Sequence, residues 1–503
     1  MLERLVADDG PSDLELLGLQ AHQTHAVHAF LVQLAALALR RGGSSRRLAL
    51  SADEWRSLLF ELGDADEEAW QLVVDDWSKP AFLQPPSPGG DRTAYKRVEP
   101  TPQGIDVLVL AKNHDIKSAR DLAARPEHWV YTLISLQTME GFSGRGNYGI
   151  ARMNSGFGNR PSVGYAPDAG WPARFRRDLD MILDPAEQPE WSSFGFGDPQ
   201  ASDSIELLWL EPWDGATSIE MARLHPWMLE VCRRMRLAHR QAGGLEAHLA
   251  ATKAARVDAK ALLGHLGDPW MPVRRDRAEL SALTVGNTGF TYRLLVDILF
   301  GAKYAPSRAL EIRDDEAEAP LLVAQVLVRG QGQTNGYYSR RIPVTPDVVQ
   351  ALSDPSGLAF LGELAEERVE LVVEAQRKVL RPAVCALLQG GGDDLKLNDP
   401  LAHPFVDRLD AEVDSIFFDR LWRDAGLDPA KQEHAWHYEV WSLCRSIFED
   451  AVRSAPSPTT RRWRAIAAGT RRLEGGAHRL FCEGFRNDQP PEPTVDSLED
   501  DAA

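Results

Sequence analysis

From residue 356 onward the sequence runs through one pattern four times: a helix-length segment with apolar residues at 3.6-residue spacing, then a short break. The segments are 356–390, 402–425, 431–454 and 458–486, and the breaks are Gly390-Gly-Gly-Asp-Asp394, Gly426-Leu-Asp-Pro429 and Ala455-Pro-Ser-Pro458. Helices of this length joined by short loops must fold back on one another to bury their apolar stripes. That predicts an antiparallel four-helix bundle over 346–488. Pro382 falls inside the first segment and predicts a kink. Residues 489–503 are acidic and proline-bearing, and read as a disordered tail.

Residues 1–345 have no single period and read as a large mixed α/β domain, so the chain is expected to be α+β. One helix is predicted over 12–42, carrying Leu14, Leu17, Leu31, Leu34 and Leu37 and closed by Gly42-Gly43. Ser51-Ala-Asp-Glu54 has the form of a capping box opening a second helix. A strand is predicted over Ile105–Leu110, before the polar loop Lys112-Asn-His-Asp115, and a helix over Trp129–Met139. Leu321–Val328 reads as a strand, Gly330–Gly336 as a polar turn and Tyr337–Val344 as the returning strand.

Charge narrows the function. Lys and Arg total 56 against 74 Asp and Glu, a net charge of −18, which argues against coating by nucleic acid over the whole surface but leaves room for local basic patches. Cys232, Cys385, Cys444 and Cys482 form no CxxC pair, so neither a disulfide framework nor a cysteine zinc site is expected and a reducing, cytoplasmic setting fits. No apolar run approaches the ~18 residues of a membrane span, and the first ten residues have no apolar core of a signal peptide.

Walker A, GxSxG and HExxH motifs are absent. Gly144-Arg-Gly-Asn-Tyr-Gly149 matches GxGxxG, but it follows a predicted helix rather than a strand. His22, His25 and His28 recur every third residue, as metal ligands or as packed histidines on a helix face, and His434 and His437 beside Glu433 leave the same choice. The expectation is a chain without catalytic residues, metal or cofactor.

The positive signals are basic and glycine-rich. Segment 141–177 carries Arg145, Arg152, Arg160, Arg174, Arg176 and Arg177, with Asn147, Asn154, Asn159 and four glycines from Gly141 to Gly149. Arginine forks suit phosphates, asparagine amides suit base edges, and glycine lets backbone approach closely. An ordinary irregular loop is the alternative. Arg329-Gly-Gln-Gly-Gln-Thr-Asn-Gly-Tyr-Tyr-Ser-Arg-Arg341 spends seven small or amide residues where a hairpin needs one or two, which suits wedging into a nucleic-acid groove. A solvated hairpin is the alternative here. Arg274, Arg275 and Arg277 follow Trp270, and Arg461 to Arg486 run along the last bundle helix; such runs are usually solvated faces.

Taken in order, Pro80-Ala-Phe-Leu-Gln84, Ser135-Leu-Gln-Thr138, Gly144-Arg-Gly-Asn147 and Arg329–Tyr337 with Arg340-Arg341 give a chain that resembles the CasA family. That family is the large subunit of the type I-E CRISPR surveillance complex, Cascade, and the likeness spans about 15–486. It implies a non-catalytic subunit that recognises the target-flanking motif on duplex DNA and starts strand separation. The implied partners are guide RNA, double-stranded target DNA, other Cascade subunits and a helicase-nuclease recruited after target binding. By the same resemblance, Gly141, Gly144, Arg145, Gly146 and Asn147 belong to a glycine loop near the flanking motif. Gln331, Gly332, Gln333, Thr334 and Asn335 form a wedge. Arg274 and Arg275 hold duplex phosphates, with Arg340 and Arg341 at the hairpin base, and Lys112, Asn113, His114, Asp115 and Ile116 reach the guide-RNA end. Lys253, Arg256 and Lys260 compete as the family's lysine finger. Two rivals from other classes are a metal-dependent nuclease using His22, His25 or His434 and a structural protein-docking scaffold.

Overall fold

The computed structural model describes residues 1–7, 14, 16–106, 124–154, 156, 158–241, 243–313, 320–330, 333–392, 394–454 and 461–481. Residues 107–110 of the expected strand, the loop Lys112–Ile116, the wedge residues Gln331 and Gly332, and the tail lie outside them. Contacts divide the chain into two units, Met1–Leu358 and Ala359–Ala503. The architecture is α+β.

The first unit holds helices α1 (Leu2–Val6), α2 (Thr24–Arg41), α3 (Ala52–Leu62), α4 (Pro126–Met139), α5 (Gly170–Leu183), α6 (Tyr292–Leu299) and α7 (Pro346–Ser353). Its strands are β1 (Arg97–Glu99), β2 (Ser162–Pro167), β3 (Ile205–Leu207), β4 (Ile219–Glu220), β5 (Leu224–Leu229), β6 (Arg234–His239), β7 (Leu245–Ala250), β8 (Val257–Asp258), β9 (Val273–Arg274), β10 (Ser281–Ala282), β11 (Tyr304–Ala305), β12 (Pro320–Gly330) and β13 (Gln333–Pro343). They form small sheets; two of them have the orders β1-β7-β6 and β13-β12-β2, both antiparallel.

The core is built round α2. Every residue from His25 to Leu39 is buried, and α3, α4, α5 and β5 pack against it. A helix that is apolar on all sides has to be central. The helix expected over 12–42 is therefore shorter, and of another kind, than its leucines indicated. Gly18 stops it: with φ of 84° and a Cβ position 2.6 Å from His128 Nε2, it admits only glycine and turns the chain. Gln20 and Gln23 then cap a 3-10 turn, Ala21–Gln23, that leads into α2. The capping box at Ser51 and Glu54 is present as expected.

The second unit is helical: α8 (Pro355–Ala375), a π turn (Gln376–Leu380), α9 (Arg381–Leu388), α10 (His403–Asp424), α11 (Pro429–Ser454) and α12 (Arg462–Leu480). Pro382 widens its helix into the π turn, and α9 follows directly; proline has no N–H for the carbonyl four residues back, and a wider turn with i→i+5 bonding absorbs the mismatch. The four-residue link between α10 and α11 sets them side by side, and α12 lies along α9 and the π turn. Arg368 and Asp424 form a buried ion pair at 2.9 Å in this unit, with the Arg368 guanidinium 5.0 Å above the Trp436 ring. Among the described residues no helix is long and apolar enough to cross a membrane.

Candidate nucleic-acid interface

Helix α4 ends at Met139, and Glu140 turns the chain into the extended region. The glycine loop that follows is a closed turn: Ser143 N–H donates to Asn147 O at 3.0 Å and Asn147 N–H to Gly144 O at 3.0 Å. Gly144 and Gly146 take φ of 111° and 89°, which side-chain-bearing residues rarely adopt. Gly146 O accepts from Thr252 N–H at 2.9 Å, and a Cβ on Gly146 would stand 2.8 Å from that of Ala251. Gly141 and Gly149 press on each other, since a Cβ on Gly149 would lie 2.9 Å from Gly141 Cα. Close approach is thus used partly within the protein. Gly144, by contrast, faces open space. Arg233 completes the frame by donating to Gly141 O at 2.7 Å and to Tyr148 O.

The arginine-rich reading of 141–177 has to be corrected. Arg152 pairs with Glu230 at 2.8 Å and Arg160 with Asp268 at 2.6 Å, all four nearly removed from solvent. Arg174 bonds Gln325 and Ser162, Arg176 bonds Ala7 O, and Arg177 reaches Glu311 O and Asp178. These side chains hold the unit together instead of facing phosphates. Asp178 also accepts from His28 Nε2 at 2.7 Å and from Trp270 Nε1 at 2.8 Å. Burial alone would raise its carboxyl, but His28, Arg174 and Arg177 hold it well below the usual range. Arg145 is the arginine of the segment that stands exposed.

The three spaced histidines diverge. His22 meets Asp106 at 2.8 Å, His28 meets Asp178, and His25 stacks on Tyr337 of β13 with centroids 5.8 Å apart. Each docks α2 or its leading turn onto a different neighbour. Among the described residues no group of three or more His, Cys, Asp or Glu has the spacing of a metal site.

The strands of the hairpin run further than the sequence pattern implied. β12 and β13 pair up to Gly330↔Gln333, so Gln333, Thr334 and Gly336 belong to the ladder, and a register shift at Val328/Arg329 leaves Asn335 as the bulged residue. The expected seven-residue turn is therefore mostly strand, because amide and glycine residues are compatible with a bulged edge. Arg329, at the base of the hairpin, is buried, pairs with Glu140 at 3.0 Å and donates to Thr334 Oγ1 at 2.9 Å. Asn335 Nδ2 donates to Asn287 Oδ1 at 2.5 Å, and Arg340 to Phe290 O at 2.9 Å. Arg341 is exposed.

Arg274 lies on β9 with its fork on Asp276, at 2.6 and 3.0 Å. Arg275 donates to Ala302 O at 2.8 Å. Of the three finger candidates, Arg256 is buried and donates to the carbonyls of Leu208, Glu211 and Pro212, whereas Lys253 and Lys260 are exposed. Lys260 shares a cleft of about 460 Å³ with Gly141, Phe142, Gly149 and Ser218.

No family model matches the sequence, and no curated protein matches it. Solved structures do. The crystal structure of CRISPR-associated protein Cse1 from Acidimicrobium ferrooxidans matches with a TM-score of 0.56 at 14% identity, covering 93% of this chain and 91% of that one. CasA from Thermus thermophilus gives 0.58 at 14%, with 93% of both chains covered. Cse1 from Thermobifida fusca gives 0.57 at 14%, with coverage of 93% and 92%. The chain has the fold of these Cse1 and CasA structures. Two of the stretches on which the sequence resembles CasA tie segments together in the core. Gln84 donates to Leu72 O and accepts from Leu237 N–H; Gln137 donates to Leu83 O and Arg233 O and accepts from the N–H groups of Cys232 and Arg233. Buried amides satisfying backbone groups fix how segments cross. Glu140, which joins loop and hairpin, was missed by sequence reasoning; its signal was an acid directly after an apolar helix.

Proposed function

We propose that this chain is the non-catalytic large subunit of a type I-E CRISPR surveillance complex, and that it recognises the target-flanking motif on duplex DNA and starts strand separation for guide-RNA pairing. The observation that carries this reading is a fold shared with Cse1 and CasA over nearly the full length of both chains. Two framed elements, the glycine loop and the hairpin, support it because they meet on one carboxylate, Glu140.

In this reading the loop, held by Arg233 and Thr252, approaches the groove through Gly144, with Arg145 at a phosphate. Lys260 is the finger, since it is exposed on the cleft that the loop lines. Sequence identity is then left to base pairing, and the protein needs only a local site for shape and flanking motif. Unstacking a base step costs on the order of a few kcal/mol, so a wedge must not yield under load. The ties of Arg329, Asn335 and Arg340 supply that stiffness. Guide RNA, the remaining Cascade subunits and a helicase-nuclease complete the proposed assembly.

Co-expression with a guide RNA and the neighbouring complex genes tests the reading. The expected result is an RNA-containing complex that shifts duplex DNA only with a particular flanking motif. A chain that purifies alone from such cells overturns it.

A further inference from the structure

Between the glycine loop and the hairpin base lies a second cavity of about 190 Å³, lined by Arg97, Arg233, Arg329, Ser143, Asn147 and Leu249 among others. A single water needs only ~10–15 Å³ of such space, so the cavity takes a small polyatomic group and excludes a duplex. Among the described residues no carboxylate lines it.

The cationic lining is built in. The side chains of Arg233 and Arg329 are 7% and 6% exposed and share one carboxylate, Glu140, at 3.5 and 3.0 Å. Arg97 is held by Glu99 at 2.7 Å. Asp106, the further acid whose charge reaches Glu140, has its oxygens engaged by His22 and Gln23, each at 2.8 Å. Guanidinium does not deprotonate in proteins. The Arg233 and Arg329 forks are engaged by Gly141 O, Tyr148 O, Thr334 Oγ1 and Glu140, so they act on the cavity through their positive charge, whose pull on an oxyanion is stronger out of water. The Ser143 hydroxyl and Asn147 amide add neutral donors of the kind that orient such a group.

We propose that this cavity binds a phosphate group, either of a single-stranded RNA backbone or of free inorganic phosphate. The site stands on the cavity alone and holds even if the chain reads no flanking motif.

Isothermal titration of the full chain with inorganic phosphate tests it, with Arg97→Gln and Leu249→Glu as variants. The Arg97 side chain is 52% exposed, so its loss spares the core. Leu249→Glu sets a negative charge against the lining without removing an arginine. Wild type is expected to bind saturably and both variants at least tenfold more weakly, with their circular dichroism unchanged. No saturable binding by wild type, or the same affinity in wild type and Arg97→Gln, overturns the site. An oligoribonucleotide that displaces the phosphate assigns the site to RNA; one that leaves it bound assigns it to free phosphate, and either result supports the cavity as a phosphate site.

Discussion

Arg329 and Glu140, far apart in the chain, form an ion pair of 3.0 Å with side chains only 6% and 1% exposed. Glu140 also lies 3.5 Å from Arg233, whose guanidinium holds the carbonyls of Gly141 and Tyr148. Burial pushes the Glu140 carboxyl up, against the pull of the two arginines. One carboxylate therefore couples the base of the hairpin to the start of the glycine loop.

The first prediction concerns that wedge. Changing Thr334 and Asn335 to alanine removes the acceptor for Arg329 and the donor to Asn287. Duplex opening is expected to slow at least tenfold, about 1.4 kcal/mol, while initial capture of the duplex is kept. A target carrying a pre-opened bubble should bind as it does to wild type. Fluorescent base analogues beside the flanking motif report the opening rate, and equal losses on duplex and bubble targets would reject the wedge.

The bundle, the hairpin strands and α4 were legible because apolar periodicity is local. What the sequence concealed was long-range pairing. Arg152 and Arg160 carry the same local signature as Arg145, a basic residue among glycines and asparagines. Their acids, Glu230 and Asp268, sit in a distant part of the chain, so composition alone left phosphate contact and ordinary loop equally open for all three. The leucines from Leu14 to Leu37 likewise gave a single helix, although the Gly18 turn, pressed on His128, decides where it starts. The fold was readable at the level of elements, and the site only where its residues lie close together in the chain.

His25 gives a prediction in pH. Burial, helped by Arg160, His22 and Arg174, lowers its pKa from the ordinary 6.5 to about 3. Between those values the unfolded chain takes up a proton that the folded chain refuses, so stability falls as pH drops below about 6.5. The slope from this one group is at most about 1.4 kcal/mol per pH unit. His25→Phe keeps a ring against Tyr337 and deletes the titration. Urea denaturation at pH 6 and pH 4 should show the variant losing about 2 kcal/mol less than wild type over that interval. His28 has its pKa lowered too, but it is present in both proteins and cancels. Parallel losses would mean that His25 protonates freely in the folded chain.

Arg274 gives a prediction in salt. Its fork is occupied by Asp276, and that pair must open before a phosphate is held. Asp276→Asn should then tighten duplex binding at low salt, equally for cognate and non-cognate flanking motifs, because phosphate contacts carry no sequence information. Arg274→Ala should lower the log–log salt slope by about 0.9. Titrations at several salt concentrations measure both, and a slope that neither substitution moves removes Arg274 from the DNA contact.

Gly475 and Gly476 are neighbours on α12, yet they are expected to answer the same substitution with opposite signs. Alanine is better than glycine inside a helix by about 0.8–1.0 kcal/mol, and a Cβ on Gly475 would meet nothing within 4 Å. Gly475→Ala should therefore stabilise the bundle by up to that amount. A Cβ on Gly476 would stand 2.6 Å from Lys378 O and 3.0 Å from Val379 Cα. Both are backbone atoms of the π turn and cannot swing aside as a side-chain tip would. Lys378 is also the residue whose carbonyl an α-helical residue 382 would satisfy, and Pro382 has no N–H to offer. The glycine thus lets α12 close on the place where the proline has interrupted the ladder. Forcing the two apart should cost about 1–3 kcal/mol, which outweighs the propensity gain. Urea denaturation of the full chain, followed through the transition of the helical unit, should move to higher midpoint for Gly475→Ala and to lower midpoint for Gly476→Ala. If both rise together, α12 does not press on the π turn, and the packing of this bundle is looser there than the glycine contact requires.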